Sequence, residues 1–178
     1  MTDQIPESAG ACSRAPRVAL TVVLLWASTV VGQQAAVRYA DKVVVHKKEH
    51  TLELFSNGSA FKKYKIALGT QPIGPKTQQG DHKTPEGTYT IDRRNPHSHF
   101  YRALHISYPN AEDRERAQKS GVPAGGDIMI HGLPNGFGWL RSAHRLKDWT
   151  DGCIAVTDEE MDEIWRLVPD GTSIEIQP

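Results

Sequence analysis

After residue 41 the chain is cut into short stretches rich in β-branched and aromatic residues, and this punctuation constrains the fold more than any other feature. "KVVVHKK" and "TLELFS" are two such stretches, and "SNGSA" places Asn57-Gly58 just before "FKKYKIALG". Asn-Gly supplies the positive-φ positions of a two-residue hairpin turn, so a meander of about three strands is expected here. The turn "KTPEG", punctuated by Pro85 and Gly87, introduces another strand, "GTYTIDRR"; "ALHISYPN", "GDIMIHG" and "TSIEI" are further strands. Only "TDEEMDEIWRLVPDG" sustains a helical period. Met161, Ile164, Trp165 and Val168 recur on one face, Thr157 and Glu160 form a capping box, and Pro169 with Gly171 ends the helix. "NAEDRERAQKSG" predicts a second helix, almost wholly polar and lying on the surface, with Asn110 as N-cap and Gly121 as stop. Many short strands with one or two helices imply a mainly β domain, a sandwich or barrel with a helix packed at one end.

Composition narrows the class. A chain of 178 residues holds one domain of ordinary size. Its 21 basic and 21 acidic residues balance, which disfavours nucleic-acid binding or a polybasic membrane surface. No repeat or low-complexity block is visible, and a monomer is expected. Arg14 and Arg17 precede the uncharged run "VALTVVLLWASTVVG" (Val18–Gly32), which is shorter than the ~20 residues of a membrane span and matches the apolar core of a secretory signal. Small residues at Gly32, Ala35 and Ala36 suit cleavage there, whereas the long charged stretch upstream with Asp3 and Glu7 is atypical of a signal; an uncleaved signal anchor is the rival. Either way, residues 1–36 read as the signal peptide or anchor and residues 37–178 as an exported, periplasmic or cell-envelope domain. Membrane contact is expected only through an uncleaved anchor.

Cysteine arithmetic then singles out "DWTDGCIAV". Cys12 precedes the apolar run and is cleaved off or left in the cytoplasm, so Cys153 has no partner for a disulfide within the exported part. Such a thiol is reactive, bridges two molecules, or is a small buried residue. A free thiol with a pKa of ~8.5 needs a neighbouring base or cation to act as a nucleophile near neutral pH. His131 at the end of "DIMIHG" is the best candidate base; its alternative reading is a satisfied core histidine. A cysteine–histidine pair with oriented backbone amides is the minimal apparatus for acyl transfer through a thioester. Gly152 is expected to let the backbone turn and a substrate carbonyl approach. His131, His144 and Cys153 also offer three zinc ligands, but their spacing matches no compact zinc signature. No nucleotide loop or organic-cofactor motif is present, so no cofactor is expected. His97 and His99 in "PHSHF" form a polar loop or part of a substrate rim.

"IMIHG" followed by "DWTDGCIAV" resembles the signature of the L,D-transpeptidase catalytic domain (YkuD-type) family: His-Gly, a gap, then Ser/Thr-x-Gly-Cys. "GDHKTPEGTYTI" and the opening meander resemble the same family, so the likeness covers about residues 41–177. It implies that Cys153 is the nucleophile and His131 its base. The Gly132 carbonyl would orient the imidazole, amides around Gly152 and Cys153 would hold the oxyanion, and Thr150 would shape the loop. Trp149, Asp151, Tyr89 and His99 are expected around the substrate, with segments 109–126 and 133–149 (the latter including Trp139) as lid and groove. The implied substrates are peptidoglycan stem peptides. The implied outcome is a cross-link or attachment made through a thioester, or hydrolysis by an L,D-carboxypeptidase or endopeptidase; a non-catalytic wall-binding module is the reading from another class. Two departures stand out: many members carry histidine before Gly-Cys and arginine two residues after the cysteine, where this chain has Asp151 and Ala155. This variant form resembles a subgroup that includes hydrolases of peptidoglycan cross-links and of anchored proteins.

Overall fold

Asn57 and Gly58 adopt φ of 52° and 75°, the left-handed pair that a tight hairpin turn demands. They join two strands of the expected meander in the computed structural model, which describes residues 1–2 and 37–178. The apolar run Val18–Gly32, its cleavage region and Cys12 lie outside the described residues. The strands are β1 (Lys42–His46), β2 (Thr51–Ser56), β3 (Ser59–Lys65), β4 (Gly87–Ser98), β5 (Tyr101–Ile106), β6 (Met129–His131), β7 (Ile154–Ala155) and β8 (Ser173–Gln177). They form one mixed eight-stranded sheet in the order β3-β2-β1-β8-β4-β5-β6-β7.

The final strand lies in the middle of this order. β8 runs parallel to β1, with Val43 opposite Ile174 and Val45 opposite Ile176, and antiparallel to β4. Its alternation explains the placement: Ile174 and Ile176 are buried with Val43 and Val45, while Ser173, Glu175 and Gln177 face away. The sheet also rolls up. Just beyond β3, Ala67 exchanges two backbone hydrogen bonds of 2.9 Å with Ala155 of β7, and Thr150 N–H donates to Leu68 O at 3.1 Å. A segment continuous with one edge strand thus closes on the other edge, and the mainly β, barrel-like expectation is borne out.

α2 (Asp158–Leu167) carries the predicted capping box: Thr157 Oγ1 accepts from the Glu160 amide, and the Glu160 carboxylate accepts from the Thr157 amide at 3.0 Å. Its Met161 and Ile164 are fully buried, each stabilising the fold by about 1.5–3 kcal/mol. α1 (Ala111–Lys119) starts at Asn110 as expected, but it does more than cover a surface. Its Asp113 is buried and accepts a hydrogen bond from Tyr89 Oη at 3.0 Å. Tyr89, expected beside the substrate, is therefore a core residue tied to α1. Among the described residues, no helix is long and apolar enough to cross a membrane.

Candidate active site

Strand register brings the two reactive side chains to one face. Ile130 lies opposite Ile154, and His131 opposite Ala155, in the parallel β6–β7 pair. Ile130 and Ile154 are both fully buried in the core. Alternation then turns Met129, His131 and Cys153 to the other face, with Cys153 beside Met129 and diagonal to His131. Both line a cavity of about 460 Å³, together with Asn95, Ser98, His99, Phe100, Asp127, Met129, Trp149, Thr150 and Asp151. That volume suits a small-ligand or peptide subsite.

His131 is only 3% exposed, and its Nδ1 lies 2.7 Å from the carbonyl oxygen of Gly132. A carbonyl can only accept, so Nδ1 carries the hydrogen and Nε2 keeps a lone pair. Phe100 packs against the imidazole at 4.6 Å between centroids, and Trp149 meets it edge-on at 5.7 Å. Burial pushes the His131 pKa down to about 4, against the opposing effect of the Gly132 carbonyl. Cys153 is a free thiol whose Sγ approaches the Asp127 carbonyl oxygen at 3.6 Å. Burial pushes its pKa up to about 11; a backbone hydrogen bond from Met129 opposes this, and the Asp151 and Asp127 carboxylates reinforce it. At neutral pH the resting pair is therefore a thiol and a neutral imidazole.

Thr150 braces the loop before Cys153. Its Oγ1 donates to the Cys153 carbonyl at 2.7 Å and accepts from the Gly152 amide at 3.2 Å. That amide, expected to help hold an oxyanion, is thus engaged within the loop. Gly152 has φ of 124°, and a Cβ there would meet the Lys83 carbonyl oxygen at 2.5 Å. The close approach that requires glycine is to the protein's own backbone, not to a substrate carbonyl. After His131, Asp158 at the start of α2 accepts from the Leu133 amide at 2.8 Å and fixes the turn through Gly132.

The rim is divided. His99 and Trp149 line the groove as expected. Asp151 is 91% exposed and pairs with His82 Nδ1 at 2.7 Å. Trp149 Nε1–H donates to His144 Nδ1 at 3.3 Å. Trp149 also lines a second, apolar cavity of about 490 Å³, with Leu133, Phe137, Leu140 and Leu146 among others. Segment 133–149, expected with 109–126 to supply lid and groove, folds as a 3-10 stretch over Gly138–Leu146, interrupted at Arg141, and its Trp139 points to solvent. Of segment 109–126, Gly125 and Gly126 line a small cavity beside Asp127 and Asp151. His144 is held by Trp149 and does not join His131 and Cys153; among the described residues no three His, Cys, Asp or Glu side chains converge as metal ligands would. Sequence reasoning missed Phe100, Asp127, Met129, His82 and Asp158. Phe100 and His82 come from segments far along the chain that no local spacing announces, whereas Met129 stands two residues before His131, where strand alternation alone could have placed it.

Comparison with known proteins agrees with this geometry. A family model described as the YkuD L,D-transpeptidase catalytic domain matches residues 40–176. The Escherichia coli K12 protein YafK, provisionally assigned as an L,D-transpeptidase, is 34% identical over 132 residues, which is 71% of this chain and 46% of that protein. The chain thus spans about half the length of the curated relatives it matches. The crystal structure of the helical cell shape determining protein Pgp2 from Campylobacter jejuni has a TM-score of 0.60 at 28% identity, covering 76% of this chain and 46% of that one. An L,D-transpeptidase from Mycobacterium smegmatis, 17% identical with a TM-score of 0.51, covers 77% of this chain and 58% of its own, a likeness of fold alone.

Proposed function

Since the chain belongs to the L,D-transpeptidase catalytic domain family, we propose that residues 37–178 form a cysteine-dependent acyltransferase acting on peptidoglycan stem peptides, with Cys153 as nucleophile and His131 as base. The observation that carries this reading is the single groove that both side chains line, with the imidazole tautomer fixed by Gly132 so that Nε2 is the free base. Residues 1–36 are the export signal or anchor in this proposal, a role suggested by the uncharged run Val18–Gly32, and the domain works in the cell envelope.

The reaction follows from the resting protonation. A thiol held near pKa 11 beside an imidazole held near 4 keeps almost no ion pair, so S–C bond formation and proton transfer to Nε2 proceed together. Sγ attacks the carbonyl of the diaminopimelate-type residue of a tetrapeptide stem. The oxyanion faces the Cys153 amide, since the Gly152 amide is engaged by Thr150. Collapse breaks the C–N bond, and His131 returns the proton to the departing D-alanine amine. The thioester is then resolved by the side-chain amine of a second stem, giving a cross-link, or by water. Water has access: Asp151 and Asp127 at the mouth are 91% and 83% exposed. This favours hydrolysis, trimming or cleaving stem links, as the second reading.

Purified protein incubated with tetrapeptide muropeptides tests both outcomes by mass spectrometry. The expected result is loss of D-alanine, an acyl adduct on Cys153, and either a dimer or a trimmed tripeptide. No adduct and no product, from protein whose thiol is intact, overturns the assignment. Binding to sacculi unaffected by Cys153→Ala would then identify a wall-binding module.

A further inference from the structure

One row of side chains runs from the thiol across the sheet. Met129 stands beside Cys153, His105 is paired with Met129 across β5–β6, and Arg93 with His105 across β4–β5. All face the same side of the sheet, with neighbouring strands about 4.8 Å apart; Met129 and Cys153 line the groove itself, and His105 borders the next cavity with Asp92. Asp127 links the two ends of this row. Its backbone oxygen touches Cys153 Sγ at 3.6 Å, while its carboxylate lies 3.9 Å from His105 Nε2 and 4.0 Å from Arg93. The His105 Nδ1 is already held by Asp92 at 2.6 Å. Beyond hydrogen-bond reach of each other, the Asp127 carboxylate and the Arg93 guanidinium are 83% and 64% exposed. An exposed, loosely matched pair of this kind adds little stability. Both charges remain free to bind something else.

Resting on the acyltransferase reading, we propose that Asp127, His105 and Arg93 form the acceptor subsite, and that its ligand carries an ammonium and a carboxylate on one carbon, as does the free end of a diaminopimelate-type side chain. A purely cationic or purely anionic group would meet repulsion from half of the row, whereas a zwitterion satisfies both charges. The ammonium docks at Asp127, nearest the thioester; the carboxylate docks at Arg93, while His105, its Nδ1 hydrogen held by Asp92, lies between them. In the transfer, the ammonium first releases one proton to solvent at the open mouth. The amine then forms the N–C bond as the C–S bond breaks, and its second proton passes through His131 Nε2 to the departing sulfur, restoring the thiol. Without an ordered acceptor, water takes this place and the same thioester is hydrolysed.

The test uses the full chain with tetrapeptide muropeptides and two exposed-charge variants, Asp127→Asn, which keeps a residue tolerant of the 55° φ at that position, and Arg93→Gln. Released D-alanine reports thioester formation, and the ratio of dimer to trimmed tripeptide reports the acceptor. Expected of Arg93→Gln is D-alanine release within about twofold of the parent, and of both variants a dimer ratio lowered about tenfold or more, the scale of one lost charge-assisted contact. The parent should also use free diaminopimelate in preference to cadaverine, which has the amine but no carboxylate, and both variants should lose that preference. Unchanged ratios in the variants, equal use of the two probes by the parent, or a fall in D-alanine release equal to the fall in dimer would each overturn the inference. A parent that releases D-alanine but makes no dimer and accepts neither amine overturns it too, while leaving the thioester reading in place. Absence of D-alanine release altogether instead overturns that reading.

Discussion

At Cys153, one sulfur atom separates chemistry from stability. Its side chain lines the groove and its polar contacts are one carbonyl oxygen and one backbone amide, so Cys153→Ala should end turnover while moving the melting temperature by no more than a few degrees, about 1 kcal/mol. Calorimetry showing a much larger loss would mark the residue as structural. The raised thiol pKa makes a second expectation. Only thiolate alkylates, so the iodoacetamide rate at Cys153 should climb about tenfold per pH unit from neutral toward about pH 11. A plateau near pH 7 would reveal a thiolate–imidazolium pair and contradict the neutral resting state. How legible was this site? Cys153, His131 and Thr150 stand in a compact pattern and could be read directly. Phe100 and Asp127 could not, because Phe100 meets the imidazole only after β5 and β6 have paired, and Asp127 meets the thiol only after β6 and β7 have. Tyr89 was misread for a related reason: its place on a recognisable strand says nothing of the buried Asp113 that claims its hydroxyl.

Elements differ in how much of their cause is local. The capping boxes at Asn110 and Thr157 are local hydrogen bonds, so both helices could be read from the sequence. β7 could not: it is two residues long, and Ile154 and Ala155 become a strand only because Ile130 lies on one side and Ala67 on the other. The 3-10 stretch over Gly138–Leu146 likewise lacks a helical period, being broken by Arg141 at φ 45°. The loop that delivers Cys153 depends on one glycine of this kind. Gly152→Ala forces a Cβ to within 2.5 Å of the Lys83 carbonyl at a φ that L-residues rarely adopt. It should cost about 1–3 kcal/mol in denaturant unfolding and slow D-alanine release far more than Thr157→Ala, whose lost cap costs about 1 kcal/mol at a distance from the thiol. Equal activity in the two variants would show that the loop tolerates the shift.

Residues 37–178 form a rolled sheet, closed where the segment after β3 meets β7, and two histidines are buried in it with their rings neutral. His131 is lowered to about 4 by burial, and His144 to about 4 by burial and then by Arg145. In the unfolded chain both titrate near 6.5. Between these values the unfolded state binds more protons, so stability falls as the pH drops, and each histidine should remove about 2 kcal/mol between pH 7 and pH 5. This interval lies above the ordinary carboxylate range, which separates the histidines from general acid unfolding. Cys153 acts at the other end. Its folded pKa near 11 lies above the unfolded value near 9, so stability should fall by about 1 kcal/mol as the pH rises from 8 to 10. Urea midpoints across pH 5 to 10 should therefore trace a plateau with two shoulders. Cys153→Ala should flatten the alkaline shoulder and leave the acid one, and His144→Gln should roughly halve the acid slope. An acid slope untouched by His144→Gln would mean that this ring takes up its proton inside the folded barrel, with Trp149 released from its nitrogen before the sheet opens.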